Sequence, residues 1–284
     1  MKERPLYISK ITPFIDKPIV KVITGIRRSG KSALLMLLKD YFISKGSSAE
    51  NIIYINFESM EYADIDSAKS LYSYVVEHKP SNGKCYILLD EIQNVKDWER
   101  AVNSFQVDID CDIYITGSNS HLLSSELSTL LAGRYVEFVI ETLSFKEYLS
   151  FLDSDIIDVY KEFNNYLRLG GFPVIHAHNY DADSAYKIIN DIYSSVILRD
   201  TIQRHNIRNV DQLERIMKFV LTNVGNLFSA KSISDYFISQ KRKVDINTVY
   251  NYLSALESAY IIRRVNRYNL KGKEILKTNE KFYL

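Results

Sequence analysis

A glycine-rich segment near the start of the chain has the pattern of a phosphate-binding loop. It is Gly25-Ile26-Arg27-Arg28-Ser29-Gly30-Lys31-Ser32, followed by Ala33, and it lies between an apolar run and an amphipathic stretch. Gly25 and Gly30 would let the backbone curl until its N–H groups and a helix N-terminus face a polyphosphate. Lys31 would neutralise the β and γ phosphates, and the Ser32 hydroxyl would bind the Mg²⁺ that bridges them. We therefore expect residues 25–33 to bind a nucleoside triphosphate with Mg²⁺.

Two adjacent carboxylates end a second apolar run. Asp90 and Glu91 directly follow Tyr86-Ile87-Leu88-Leu89. Beside a phosphate-binding loop, this order predicts that Asp90 holds the Mg²⁺ shell and that Glu91 orients and deprotonates the attacking water. The alternative is structural, since any buried strand can end in solvated acids. If the pair is functional, the chain hydrolyses its nucleotide as well as binding it.

Small polar residues follow a third apolar run, Asp112–Thr116, at what would be the same edge of a parallel sheet. They are Ser118 and Asn119, after Gly117. Either side chain could contact the γ-phosphate or its water, and the sequence does not choose between them. The alternative is that one of them caps the helix that follows.

The elements around these residues alternate between short apolar runs and longer amphipathic stretches, which is typical of a parallel sheet covered on both faces. The predicted strands are Ile19–Thr24, Asn51–Phe57, Cys85–Leu89, Asp112–Thr116 and Tyr135–Ile140. The predicted helices between them are Lys31–Ser44, Ile65–Glu77 and Trp98–Val107, the last behind an Asp97 N-cap. The fold class is thus α/β, a P-loop NTPase sheet sandwiched by helices.

Beyond Leu143 the spacing becomes helical, with one break at Gly170-Gly171-Phe172-Pro173. From Asp211 onwards the pattern predicts three helices and then a hairpin, whose strands are Ile261–Arg267 and Glu274–Lys277. This order is that of a winged helix-turn-helix. We expect three domains: a P-loop core over 1–143, a small helical lid over 144–210 and a winged helix over 211–284.

The net charge of +1 is uninformative, but the charge is unevenly distributed. Residues 241–281 hold ten basic residues and four acids. Phosphate neutralisation supplies most nonspecific affinity for nucleic acid, so DNA is a candidate partner of the winged helix. The candidate contacts are Lys241, Arg242, Lys243, Asn247, Tyr250, Asn251, Arg263, Arg264, Arg267, Lys271 and Lys273. The alternative is a winged helix used for packing, with its basic residues solvated or facing a protein partner.

Composition removes several classes of protein. With 46% hydrophobic and 25% charged residues the chain falls in the ordinary globular range. Two cysteines, Cys85 and Cys111, exclude a disulfide framework and a four-cysteine zinc site, and we expect both to be buried thiols. His176 and His178 are expected to be surface histidines rather than metal ligands. Without a signal peptide or an 18-residue apolar run, we expect a cytoplasmic protein with no membrane contact.

Together, these motifs resemble the AAA+ superfamily, and within it a prokaryotic family of ATPases in which this core precedes a winged helix and a further C-terminal domain. The matching features are residues 24–32, Leu89-Asp90-Glu91-Ile92-Gln93 with Trp98, Thr116-Gly117-Ser118, Leu131-Ala132-Gly133-Arg134, Leu143-Ser144-Phe145 and Gly170-Gly171-Phe172-Pro173. The resemblance implies ATP or ADP as the nucleotide, an arginine-finger or sensor role for Arg134, and a place for Pro173 near the base.

The sequence departs from this family in two respects. It has no Gly-Ala-Arg sensor of the ring-forming type, which argues against a hexameric motor. Family members usually continue into a nuclease-like domain that begins with an apolar strand, and Lys281–Leu284 resembles the start of that strand.

Three functions are therefore expected from the sequence. The first is an ATPase whose hydrolysis moves the lid and winged helix and so controls DNA, a protein partner or a second copy of the chain. The second is a nucleotide-state switch that hydrolyses slowly or not at all. The third is a DNA-binding regulator in which the nucleotide is structural.

Overall fold

The computed structural model describes residues 2–117, 131, 133–152, 158–178, 180–203, 205–265 and 280–284. The chain divides into two compact units, Met1–Asn190 and Asp191–Leu284. The division into 1–143, 144–210 and 211–284 stays a prediction. None of the helices in the described residues combines the length and the apolar character that a membrane span requires.

The first unit is built on a five-stranded sheet in which every neighbouring pair of strands is parallel. Its strands are β1 (Val20–Thr24), β2 (Ile52–Asn56), β3 (Cys85–Asp90), β4 (Cys111–Thr116) and β5 (Tyr135–Val139), in the spatial order β2-β3-β4-β1-β5. The five strands predicted from apolar runs are confirmed to within one residue at either end, and with them the α/β fold class.

Helices cover both faces of this sheet. They are α1 (Pro5–Ile11), α2 (Lys31–Ser44), α3 (Ala68–His78) and α4 (Trp98–Asp108). Side chains alternate across the strands, so Ile87 and Leu89 join the core cluster that contains α3 and α4, while Leu88 joins the cluster of α1 and α2. Asp97 is at the N-cap of α4 as expected, but in a left-handed conformation and without a side-chain cap bond.

Three further helices follow the sheet, namely α5 (Phe145–Phe151), α6 (Val159–Leu169) and the short α7 (Pro173–His176). The Gly170–Pro173 break returns the chain to the segment after β5, because the Leu143 N–H donates to the Gly171 carbonyl at 2.6 Å. His176 is buried, with Nε2 2.8 Å from the Gly170 carbonyl oxygen. The expectation that it lies on the surface is therefore wrong. Helix α8 (Ala182–Ser195) comes next and continues as a π-helix over Val196–Gln203.

The second unit has the element order of a winged helix. It contains α9 (Val210–Thr222), β6 (Leu227–Phe228), α10 (Ala230–Ser239), α11 (Ile246–Ser258), β7 (Arg263–Val265) and β8 (Glu280–Tyr283), with an antiparallel sheet in the order β6-β8-β7. The three helices were predicted, whereas β6 was not.

The end of the described chain corrects one expectation. Lys281–Leu284 resembled the first strand of a further domain, but β8 pairs with both β6 and β7, and Phe282 is fully buried in the core of this unit. The predicted strand Glu274–Lys277 lies outside the described residues. Burial of Phe282 against Phe228 explains why β8 completes this sheet.

Candidate functional site

The phosphate-binding loop connects β1 to α2 at the carboxyl edge of the sheet. Gly25 has φ +137° and a Cβ there would lie 2.1 Å from the Ile140 carbonyl oxygen, so both its conformation and its surroundings require glycine. Gly30 is left-handed and is the N-cap residue of α2. The backbone thus curls around the first turn of a helix, the arrangement that binds anions.

Lys31 is buried at the start of α2. Its Nζ donates to the carbonyl oxygens of Gly25 at 3.1 Å and Ile26 at 3.2 Å. The ammonium group is therefore held beside the loop backbone, where it would add positive charge to the loop amides.

The two predicted acids lie at the same edge of the sheet. Asp90 is fully buried, and its carboxylate accepts hydrogen bonds from the Thr116 hydroxyl and, at 3.2 Å, from the Tyr54 hydroxyl. Burial, and then the neighbouring Asp90 carboxylate, raise the pKa of Tyr54. This hydroxyl therefore stays protonated and continues to donate to Asp90.

Glu91 adopts the left-handed conformation, with φ +56°, and this turns it away from the strand direction. Its N–H donates to the Thr116 hydroxyl oxygen at 2.9 Å. Its carboxylate accepts a hydrogen bond from Nε2 of Gln93. The Thr116 hydroxyl thus hydrogen-bonds both to the Asp90 carboxylate and to the Glu91 backbone. Gln93 hydrogen-bonds to the carboxylate of Glu91, the predicted general base.

A cavity of about 820 Å³ opens beside the loop. Its basic lining residues are Lys2, Arg4, Arg27, Arg28 and Lys31; its acids are Glu58 and Glu91; and Leu34, Leu37, Phe151, Pro173, Val174 and Ala177 are apolar. Ser32 and Ala33 also line the cavity, while Asp90 lies behind its wall. A cavity with a cationic part and an apolar part suits a nucleotide, which has a polyphosphate and an aromatic base.

Pro173 lies against the loop, and its expected place near the base stays a prediction. A Cβ on Gly30 would lie 3.8 Å from Cγ of Pro173, and Pro173 lines the cavity. The Gly170–Pro173 break and the phosphate loop are therefore neighbours, although about 140 residues of sequence separate them.

Arg134 lies at the amino edge of the sheet, whereas a sensor in the same chain would lie at the carboxyl edge, beside the phosphate-binding loop. It precedes β5, accepts the Val20 N–H on its carbonyl at 2.8 Å and is exposed. The end of the sheet that carries the loop is marked by the pairing of Thr24 with Val139. Because a strand of this length spans roughly 15 Å, Arg134 and the loop are at opposite edges. This position argues against a role in the site of the same chain, and the arginine-finger or sensor role of Arg134 stays a prediction.

Ser118 and Asn119 lie outside the described residues, so their expected contact with the γ-phosphate stays a prediction. Four residues of the site were not identified from the sequence: Arg4, Tyr54, Gln93 and Thr116. The last three are polar residues within or just after predicted strands, and their position at the carboxyl edge was the signal that could have identified them. Arg4 has no such local signal.

The candidate DNA contacts of the second unit fall into two groups. Arg264 is half-buried and pairs with Glu257 at 3.3 Å and Glu280 at 3.1 Å, and Arg242 pairs with Asp211 at 3.2 Å. Arg264 is thus paired within its own unit, and its contact with DNA stays a prediction. Lys241, Lys243, Asn247, Tyr250, Asn251 and Arg263 are exposed, while Arg267, Lys271 and Lys273 lie outside the described residues.

The cysteines do not provide a nucleophile. Cys85 is buried as expected, but Cys111 is only half-buried. Burial raises the pKa of Cys85 to about 11 and that of Cys111 to about 12, so both are protonated thiols near neutral pH.

Within the described ranges no group of three histidine, cysteine, aspartate or glutamate side chains could hold a metal ion without other ligands.

Comparison with known proteins identifies two family domains. Residues 17–149 match the family described as "AAA domain", and residues 160–284 match a "Domain of unknown function (DUF8612)". An uncharacterized protein of Haemophilus influenzae is 40% identical over 289 residues, covering 100% of this chain and 71% of that protein. Protein MJ1544 of Methanocaldococcus jannaschii is 30% identical over 268 residues, covering 90% of this chain and 58% of that protein. The chain thus spans less than two thirds of the latter relative.

Two solved structures are similar at low identity. The Aeropyrum pernix ORC1 protein in complex with DNA is 11% identical with a TM-score of 0.42, covering 100% of this chain and 89% of that one. AMPPCP-bound DnaA from Aquifex aeolicus is 14% identical with a TM-score of 0.40, covering 88% of this chain and 85% of that one. Both likenesses are weak in overall geometry.

Proposed function

We propose that the chain, which has the fold of the AAA+ P-loop proteins and belongs to one family with the Haemophilus influenzae relative, binds ATP with Mg²⁺ and hydrolyses it. The observation that carries this proposal is the convergence of Lys31, Ser32 and Glu91 on one cavity with a buried Asp90 behind them. Hydroxyl and carboxylate oxygens are the donors that Mg²⁺ prefers, and the ion usually binds together with substrate phosphates. The residues present therefore suit this ion.

Each residue has a distinct role in the proposed reaction. The N–H groups of residues 25–33 and the Lys31 ammonium bind the phosphates, and Ser32 with Asp90 holds the Mg²⁺ shell. When bound, Mg²⁺ supplies charge neutralisation at the β and γ phosphates. Glu91 accepts a proton from the water that attacks the γ-phosphorus, while the bond from that phosphorus to the bridging oxygen breaks and leaves ADP. The apolar residues beside Pro173 would contact the base.

Two substitutions test this proposal. Lys31→Ala should abolish measurable ATP binding, whereas Glu91→Gln should bind ATP with nearly wild-type affinity and hydrolyse it at least about 100-fold more slowly. Binding is measured by titration calorimetry with ATP and Mg²⁺, and turnover by phosphate release. Wild-type turnover no faster than that of Glu91→Gln would contradict hydrolysis, and unchanged ATP affinity in Lys31→Ala would contradict the site.

One contact favours the second candidate function, a slowly hydrolysing nucleotide-state switch. The Gln93 side chain donates to the Glu91 carboxylate, which therefore carries a hydrogen bond that a free general base would lack. If this bond restrains Glu91, Gln93→Ala should raise kcat several-fold at unchanged ATP affinity. A kcat that stays the same or falls would mean that Gln93 orients the base for reaction.

We further propose that the nucleotide state controls the second unit, which acts on DNA or on a protein partner. The exposed polar face of α11, with Asn247, Tyr250 and Asn251, supports such an interaction. For DNA, Lys243→Ala, at an exposed lysine, should reduce the salt dependence of binding by about 0.9 for one lost phosphate contact, while Arg264→Ala, whose guanidinium is already paired, should change it less. Equal changes, or an undetectable salt dependence, would favour a protein partner.

A further inference from the structure

An arginine outside all the motifs described above joins the phosphate loop to helix α5. Arg4 is 4% exposed, and its Nε donates to Oε1 of Glu147 at 2.9 Å. Its Nη1 donates to the carbonyl oxygens of Ser29 and Glu141, each at 3.0 Å. Three segments that are far apart in sequence therefore meet on one guanidinium group: the loop, the chain after β5, and the third residue of α5.

The surroundings keep this guanidinium in one position. Its Cζ lies 4.4 Å from the centre of the Tyr7 ring, and the Tyr7 hydroxyl accepts the Glu141 N–H at 3.1 Å. Nη2 is buried, and its two N–H groups have no hydrogen-bond partner in the described part of the chain. A buried cation is costly unless it is paired, and Glu147 provides the paired charge.

Helix α5 extends from this contact to the cavity wall. At its start, Glu147 and Ser144 form a capping box in which each side chain accepts the other's backbone N–H. At its end, Phe151 is buried and lines the cavity beside the loop. A displacement of Glu147 would therefore also displace Phe151, because a helix this short moves as one body.

We propose that Arg4 is a positioning residue that holds α5, and with it the Phe151 side of the cavity, against the phosphate loop, and so strengthens binding of the nucleoside part of ATP. The inference rests on the proposed function. Loop amides and Lys31 would bind the phosphates whether or not α5 is held, whereas the nucleoside needs the apolar wall. Loss of Arg4 should thus affect a nucleotide more than a bare phosphate chain.

The test compares two ligands, ATP and tripolyphosphate, each with Mg²⁺, by titration calorimetry on the full chain. In Arg4→Met and in Glu147→Gln, the Kd for ATP should rise about tenfold, and the Kd for tripolyphosphate should change less than about twofold. The double variant should be no weaker than Arg4→Met, because both substitutions break the same link.

The control variants separate this link from a general loss of structure. Glu147→Gln keeps the capping box, since glutamine serves at that position, and Ser144→Ala weakens the box while leaving the Arg4–Glu147 pair. Ser144→Ala should therefore cost stability with little change in ATP affinity. Arg215→Met, at an exposed ion pair of the second unit, should change neither Kd. If Arg4→Met does not fold, Arg4→Lys and Glu147→Gln provide the comparison.

The outcomes distinguish the inference from the proposed function. A wild-type chain that fails to bind ATP with Mg²⁺ overturns both. A wild-type chain that binds ATP, with variants that bind it equally well, overturns only the role of Arg4. An equal loss of ATP and tripolyphosphate affinity also overturns it, because Arg4 would then act on the phosphate loop and not through α5.

Discussion

Two buried aspartates at opposite edges of the same sheet are compensated in different ways. At the amino edge, Asp112 pairs with the fully buried Lys21 and also accepts hydrogen bonds from the Tyr114 hydroxyl at 2.7 Å and the Asp16 N–H at 2.9 Å. At the carboxyl edge, Asp90 accepts hydrogen bonds from two neutral hydroxyls, those of Thr116 and Tyr54. The two carboxylates are equally buried, so the difference lies in their partners.

The partners of Asp112 serve stability, and the partners of Asp90 support the proposal that Asp90 serves chemistry. Lys21 is held by the Lys17 carbonyl at 3.1 Å as well as by Asp112, so the amino-edge charge is neutralised within the protein. Burial lowers the pKa of Lys21, and the hydrogen bond that Lys21 donates to Asp112 opposes that shift. Asp90 lies next to a cavity with a cationic lining, where a bound Mg²⁺ would supply the missing positive charge.

The largest expected effect is on stability and comes from breaking the Lys21–Asp112 ion pair at the amino edge of the sheet. Lys21→Met leaves Asp112 buried without its cation and should lower the free energy of unfolding by about 3–5 kcal/mol. Asp90→Asn keeps the oxygen that accepts from Thr116 and removes an uncompensated charge, so without ligand it should change stability by less than about 1 kcal/mol or increase it. Urea unfolding without nucleotide measures both. Similar losses in the two variants would show that the aspartates are compensated alike.

The Lys21–Asp112 pair and the Asp90-Glu91 pair of adjacent acids also differ in how far the sequence predicts them. The strands of the sheet follow from continuous apolar runs, and residues 25–32 and Asp90-Glu91 follow from local patterns that chemistry restricts. Lys21 and Asp112 are 91 positions apart inside such runs, and Arg4 is 143 positions from Glu147. No local spacing reveals a pair of this kind. The pairing of β8 with β6, which lies about 50 residues earlier, has no local signal either.

The second prediction concerns the stability that ATP and Mg²⁺ add to the protein. If Asp90 is neutralised by Mg²⁺ with ATP, these ligands should stabilise the wild type by about 2.7 kcal/mol at a concentration 100 times the Kd. Asp90→Asn should lose most of this gain, and EDTA should remove it from the wild type. Thermal unfolding with and without the ligands is the measurement. Asp110→Asn, at an exposed aspartate, is the matched control and should keep the full gain. A full gain in Asp90→Asn would separate that carboxylate from the metal.

The smallest expected effect concerns a third carboxylate, the half-buried Glu147, which is paired with a cation as Asp112 is. Burial alone would raise its pKa, but the hydrogen bonds from Arg4 and from Ser144 lower it below its ordinary value. Glutamate in an unfolded chain titrates near pH 4.3, so the pair contributes stability above that pH and loses it as the pH falls through the lower folded pKa.

Glu147→Gln removes this titration. Its stability deficit against the wild type should therefore be largest at neutral pH and shrink as the pH falls below the ordinary glutamate pKa of about 4.3, by less than about 1 kcal/mol in all because Glu147 is partly solvated. Urea unfolding at several pH values measures the change, and Glu77→Gln, at an exposed residue of α3, should show no such trend. A deficit that grows as the pH falls would mean that Glu147 is protonated in the folded chain and that its bond to Arg4 carries no charge. The coupling assigned to Arg4 would then rest on packing and hydrogen bonding, and Glu147→Gln would no longer raise the Kd for ATP.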